Sequence, residues 1–528
     1  MALLPCPCWH CLRARVRSRT SRRAGSRTAG ARVAAARGQT TGGGKPLRVG
    51  FLLGLCVLTR YDMVWITGSL AVGILWRQRL GMWMQTVVVA MATVVPWLVF
   101  ATIYYGSPLP TTAHAKLLSV GLGAGELFAQ GARYGLDTVV HDPVTALGIG
   151  LGLAIGFVWR REGTGFAAAG VLLHLAYVAR VGGDFMSGRF LTPAFVLAVW
   201  IVTVFLRAAP RPRVAGWAAL AVLALAFIRG VPVQFVPWKP PPPRVESGIA
   251  DERAGYHAML GLWAHRRPPL VARQLEPLLP QAAGPVVAFT YAAGWLGLLG
   301  GPRLRIVDPY LCDALLVRLP VCRELGLRPG HYGRRLPEGY LESLVHEDNR
   351  IEHPGLHRYY DLLLQVLHSP AFGAERWRAV LALESTEARG WLADYVATDY
   401  ATPPLRAVAA DALPEDCDLH VPWFQTDARI VYDGGLRIDR GERLRGATVE
   451  LAVRSDAEVL VEFWRDGAML AQSTSPPPPD IGALTLQFLG GFRWVALVPP
   501  PAQWDHLVVR NRNLIDGILA VAAVRSRD

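Results

Sequence analysis

Apolar positions crowd the first half of the chain and thin out in the second. Between Val49 and Val231 they form seven runs: Val49–Thr59, Met63–Trp76, Met82–Tyr104, Val144–Trp159, Gly165–Ala179, Phe190–Leu206 and Val214–Ile228. A helical bilayer crossing takes about 20 mostly apolar residues, and several of these runs are shorter. Their close succession, with few charges between them, predicts a polytopic α-helical membrane domain of about six or seven helices over residues 49–231.

Charges in the connecting loops give that domain an orientation. Arg77 and Arg79, then Arg160 and Arg161, then Arg207, Arg211 and Arg213 mark three short loops on one side. The positive-inside rule makes that side cytoplasmic. The loop from Tyr105 to Pro143, the turn at Gly182–Asp184 and everything after Val231 then lie on the opposite face. The expected location is a bacterial plasma membrane, crossed several times, with the C-terminal half extracytoplasmic.

Patterning changes after Val231. The segment Trp238–Arg244 is a polyproline connector. Short apolar runs at Pro285–Tyr291 and Leu304–Val307 predict buried strands, and helical spacing follows at Tyr359–Leu367 and Trp377–Leu383. Residues 232–420 thus read as an exported α/β region. From Val421 onward the runs become short and alternating: Ala447–Val453, Val459–Trp464, Leu484–Phe488, Trp494–Val498 and His506–Val509. That spacing predicts a C-terminal antiparallel β-sandwich over 421–528. Its Trp464, Trp494 and Trp504 either stack on sugar rings or fill the core.

Net charge then corrects a first impression. The 528 residues carry 55 Lys+Arg against 41 Asp+Glu, a balance of +14, with a mean hydropathy of +0.26. Eleven of the basic residues fall between Met1 and Arg48, where no acid occurs, leaving 44 basic against 41 acidic residues downstream. The excess is therefore local and implies no nucleic-acid partner. Residues 1–48 form an Arg-rich leader without periodicity, resembling translation ahead of a true reading frame. Cys6, Cys8, His10 and Cys11 lack the spacing of a structural zinc site, and no metal site is assigned. Cys312 and Cys322 would pair in an oxidising compartment.

Ionisable groups at membrane depth are costly and mark function. Three clusters qualify: Arg60 with Asp62; Tyr105, His114 and Lys116 within Tyr104–Lys116; and Arg180, Asp184 and Arg189 within Arg180–Arg189. All lie at or near the outer face. Cations converging there with one or two carboxylates suit an anionic, lipid-linked substrate.

These segments carry a resemblance. Leu58-Thr-Arg-Tyr-Asp62, Tyr104-Tyr-Gly-Ser-Pro-Leu-Pro-Thr-Thr-Ala-His-Ala-Lys116 and Val181-Gly-Gly-Asp-Phe-Met-Ser-Gly-Arg-Phe-Leu-Thr-Pro193 are similar to GT-C class membrane glycosyltransferases. The likeness is to those that use polyprenyl-phosphate sugars, in particular terminal β-arabinofuranosyltransferases of actinobacterial cell walls. Ile306–Asp313, Arg328–His331 and Leu336–Tyr340 add to it. The resemblance implies transfer of a sugar, such as arabinofuranose, from a polyprenyl-phosphate donor to a cell-envelope polysaccharide. Arg60, Tyr105, His114, Lys116, Arg180 and Arg189 would hold lipid phosphate or sugar, and Asp62 and Asp184 are the carboxylate candidates. No cofactor is required, and a divalent cation is left open. One departure stands out: the family's base lies in an early outer loop, whereas no acidic residue precedes Asp62. The chain is therefore expected to be an N-terminally truncated member, inactive alone. The rival reading is a membrane-anchored glycan-binding protein that uses only the sandwich.

Overall fold

The computed structural model describes residues 44–77, 79–117, 121–161, 163–208, 217, 245–252, 286–289, 293–308, 310, 313–325, 327–455, 458–475, 491–511 and 518–527. The leader up to Gly43, the run Val214–Ile228 apart from Trp217, the connector Trp238–Arg244, the run Leu484–Phe488 and Cys312 lie outside them. The pairing of Cys312 with Cys322 is thus outside as well, and Cys322 itself is a buried thiol.

The N-terminal half is helical. It comprises α1 (Gly44–Thr59), α2 (Val64–Arg77), α3 (Leu80–Tyr105), α4 (Thr111–Leu117), α5 (Ala124–His141), α6 (Pro143–Val158), α7 (Thr164–Arg180) and α8 (Thr192–Ala208). Two described stretches, Leu80–Tyr105 and Arg189–Ala208, are long and apolar enough to cross a membrane. The number rises to three if α5 and α6, bent by 110°, count as one broken span. A few apolar helices thus suit membrane association. The loop expected between Tyr105 and Pro143 contains α4 and α5, which the apolar-run count passes over because both carry polar faces.

Small residues let these helices approach closely. On α1, a Cβ added to Gly50 would meet Thr86 O at 2.3 Å, and one on Gly54 would meet Thr93 Cβ at 2.7 Å. On α6, Gly152 abuts Ala198 and Gly156 abuts Ala168 in the same four-residue spacing. The contacts pin α1 to α3, and α6 to α7 and α8.

In the C-terminal half, short strands β1 (Val245–Glu246) and β2 (Ile249–Ala250) precede a parallel pair, β3 (Val286–Phe289) and β4 (Leu304–Val307). Helix α9 (Ala293–Gly300) connects that pair, as a parallel crossover requires. Strands β5 (Leu327–Arg328) and β6 (His331–Tyr332) make a small hairpin. Four helices follow: α10 (Tyr340–His346), α11 (Pro354–His368), α12 (Ala374–Leu383) and α13 (Thr386–Tyr395).

The remaining strands are β7 (Arg406–Ala409), β8 (Arg429–Ile430), β9 (Leu436–Asp439), β10 (Thr448–Arg454), β11 (Val459–Arg465), β12 (Ala468–Ser475), β13 (Arg493–Leu497), β14 (His506–Asn511) and β15 (Ala520–Arg527). They form a four-stranded sheet, β13-β10-β15-β8, and a five-stranded sheet, β12-β11-β14-β9-β7. Alternate residues of both, such as Val449 and Leu451 on β10 and Val461 and Phe463 on β11, meet in one hydrophobic cluster. Two expectations need correction. The sheet unit starts at Arg406, not Val421, and is mixed rather than purely antiparallel, because β7 pairs in parallel with β9. Trp504, 4% exposed, fills the interior beside Phe463.

Candidate functional site

Asp184 sits in the turn between α7 and α8. Gly182 and Gly183 adopt φ of 81° and 75°, the left-handed region that glycine enters without strain. The tightness is enforced by Tyr134 of α5, whose side chain lies 2.6 Å from where a Gly183 Cβ would be. The Tyr134 hydroxyl donates to Met186 O at 2.9 Å and accepts from the Phe190 amide at 3.1 Å, so one buried ring ties down both ends of the turn.

That turn presents a fully buried carboxylate to two cations. Lys116 Nζ of α4 donates to Asp184 Oδ1 at 3.0 Å, and Arg189 Nη2 donates to the same oxygen at 2.9 Å. Arg189 Nε lies 2.7 Å from the other oxygen, Oδ2. Burial pushes the Lys116 ammonium below its ordinary value, while the Asp184 charge works in the opposite direction. Gly330 makes room for this lysine, since a Cβ there would lie 2.7 Å from Lys116 Cε.

Two phenylalanines gather further charge. Arg60 and Lys116 lie over the Phe190 ring at 4.8 and 4.7 Å, and Arg189 and Arg328 lie over Phe185 at 5.1 and 4.6 Å. These are cation–π distances. Arg60 is itself bidentate with Asp62, and Arg328 pairs with Glu252 at 2.6 Å. Among the described residues, four cations thus meet three carboxylates, leaving one positive charge in excess. His331 packs against Phe185 at 3.8 Å, and burial, aided by Arg328, Lys116 and Arg189, pushes its imidazole down to about 3. It is therefore neutral at physiological pH and adds no charge.

Beside this cluster opens a cleft of about 630 Å³, walled by Arg60, Trp97, Tyr105, His114, Arg318 and Leu363 among others. His114 Nε2 lies 3.0 Å from Ser107 Oγ, and burial lowers its pKa. The eight residues singled out from sequence therefore divide. Lys116, Asp184 and Arg189 join directly, and Arg60 and Asp62 reach them across Phe190. Tyr105 and His114 share the cleft with Arg60. Arg180 is exposed at the end of α7 and joins none of these pairs. Phe185, Phe190, Glu252, Arg328 and His331 were not among the candidates. Two phenylalanines beside Asp184 look like ordinary interfacial residues, and nothing in the spacing brings Arg328 back to a turn so far upstream.

Both carboxylate candidates are ion-paired, Asp62 with Arg60 through both oxygens and Asp184 with Lys116 and Arg189. Among the described residues no group of three His, Cys, Asp or Glu side chains could hold a metal ion. No protein-family model, curated protein or solved structure matches this chain.

Proposed function

We propose that this chain is a GT-C type membrane glycosyltransferase whose Lys116–Asp184–Arg189 cluster binds the phosphate of a polyprenyl-phosphate-linked sugar at the outer face of a bacterial plasma membrane. The observation that carries the reading is the convergence of Arg60, Lys116, Arg189 and Arg328, four cations against three carboxylates among the described residues, in a half-buried cluster that opens beside a largely apolar cleft. A phosphodiester linking lipid and sugar bears one negative charge, and charge-assisted hydrogen bonds from Lys and Arg are the strong means of holding it. The apolar wall suits the lipid. In this reading about six or seven helices cross the bilayer, the two sheets form a sandwich on the far side, and a cell-envelope polysaccharide receives the sugar.

Donor binding is the part of the reaction that this cluster serves. Transfer also needs a base for the acceptor hydroxyl, and Asp62 and Asp184 are both committed to cations. The chain alone is therefore expected to bind donor without transferring sugar. The purified chain in lipid nanodiscs, given a polyprenyl-phosphoryl pentose and a cell-wall oligosaccharide, should yield no product. Product formation abolished by Asp62→Asn or Asp184→Asn would show that one of these carboxylates does act as the base.

A further inference from the structure

The corner between α11 and α12 carries large apolar side chains that no described residue covers. Leu367 is 51% exposed, Phe372 83% and Leu381 71%. Isolated exposed apolar residues are ordinary, but Leu367 and Phe372 on one helical corner, with Leu381 two turns further along α12, call for a partner. The place of the corner indicates which partner. Arg376 of α12, only 5% exposed, donates to Ile103 O at 2.8 Å and to Tyr104 O at 2.6 Å. These carbonyls end α3, the longest apolar helix of the described chain, where intrahelical donors have run out. Val366 of α11 fills the space beside Gly106, the residue that caps α3, 2.6 Å from where a Cβ would stand. The corner is therefore fixed at the mouth of a candidate membrane span. Phe100, Tyr104 and Tyr105, exposed along the last turns of α3, form an aromatic band at that level, as helix ends do at a membrane–water interface.

We infer that the α11–α12 corner inserts Leu367, Phe372 and Leu381 into the interfacial layer of the bilayer, so that the exported half is anchored on the lipid surface as well as by its connection to the helices. The occupant of this surface is lipid. Exposed His368, Arg378 and Glu375 surround the tip with mixed charge, so the contact favours no particular headgroup charge. Its geometry restrains α11 and α12 where they wall the 630 Å³ cleft. The inference requires α3 to lie in a membrane but is independent of any phosphate site.

The test places an environment-sensitive fluorophore on Phe372→Cys in the full chain, in phosphatidylcholine nanodiscs, with labelling of the native cysteines subtracted. Leu381→Cys serves as a second probe. Val99→Cys on α3, 51% exposed, reports the membrane, and Glu442→Cys, 87% exposed in the far sheet unit, reports water. The expected result is that the Phe372 and Leu381 labels, like Val99, are quenched by lipids carrying a doxyl group near the headgroup. Iodide should quench them several-fold less than the Glu442 label. Corner labels as open to iodide as Glu442, with Val99 shielded, would overturn the inference while leaving the membrane reading intact. Iodide access at all four positions would overturn both.

Discussion

Lys116 Nζ lies 3.0 Å from Asp184 Oδ1, a contact between residues 68 positions apart that joins the short helix α4, which follows α3, to the turn between α7 and α8. Asp184 is fully buried and takes a second cation, Arg189, on both oxygens. Removing one partner from such a group leaves uncompensated charge in a poorly solvated place. Asp184→Asn should therefore cost about 3 kcal/mol, at the low end of the range for buried pairs because Arg189 is 40% exposed. A fall in the thermal unfolding midpoint in detergent micelles checks it; an unchanged midpoint would mean that the carboxylate is dispensable.

Gly183→Ala should damage the same turn from the backbone side. The residue sits at φ 75°, and the new methyl would lie 2.6 Å from Tyr134 Cβ and Cγ. A left-handed conformation alone costs a non-glycine residue roughly 1–2 kcal/mol, and displacement of Tyr134 would loosen its bonds to Met186 and Phe190. Lower stability together with weaker polyprenyl-phosphate binding is expected. Gly188→Ala, also at positive φ but with open space around it, should share the strain and spare Tyr134.

Arg376→Ala should uncouple the two halves of the chain. Two carbonyls at the end of α3 would lose their donors, at about 1–3 kcal/mol for each polar group left unsatisfied. Hydrogen–deuterium exchange should rise selectively in α11, α12 and the last turn of α3. Uniform protection across these elements would count against the contact.

Glu338 provides a pH dependence. Burial is the main cause of its rise to about 7 from an ordinary 4.5, with Asp399 and Glu342 adding to the rise and Arg406 opposing it. The folded chain therefore holds this proton more tightly than the unfolded chain. The stabilisation is complete below pH 4.5 and is lost as pH rises through about 7. Glu338→Gln, which mimics the protonated side chain, should flatten the decline in unfolding midpoint over that window. Parallel pH profiles for wild type and variant would refute the assignment.

Much of the architecture is legible in the sequence because hydrophobic periodicity is a local signal. The runs at Leu304–Val307, Val459–Trp464 and His506–Val509 coincide with strands β4, β11 and β14, and Val144–Trp159 is displaced by one residue from α6. Amphipathic α5 stays hidden in a supposed loop because only one of its faces is apolar. Strands β12 and β15 escape for different reasons: the first is largely exposed and polar, and the second is a nearly continuous small-apolar run. At the site, local charge singles out Lys116, Asp184 and Arg189, since ionisable residues beside apolar runs stand out. Arg328, His331 and Glu252 reach the same place through tertiary folding, which spacing does not encode. Arg180 shows the converse: it is as conspicuous in sequence as Arg189, yet it is exposed and joins none of the cluster's described pairs.

The central claim is that the cluster around Asp184 binds lipid-linked phosphate, and binding of polyprenyl phosphate in nanodiscs tests it most directly, with uncharged polyprenol as the comparison ligand. The wild-type chain should prefer the phosphate. Lys116→Ala and Arg60→Ala should each weaken it roughly tenfold, the loss expected for one charge-assisted hydrogen bond of about 1.4 kcal/mol or more. Arg180→Ala, outside the cluster, should bind as wild type does. Equal affinity for phosphate and alcohol, or a loss at Arg180 matching that at Lys116, would contradict the account.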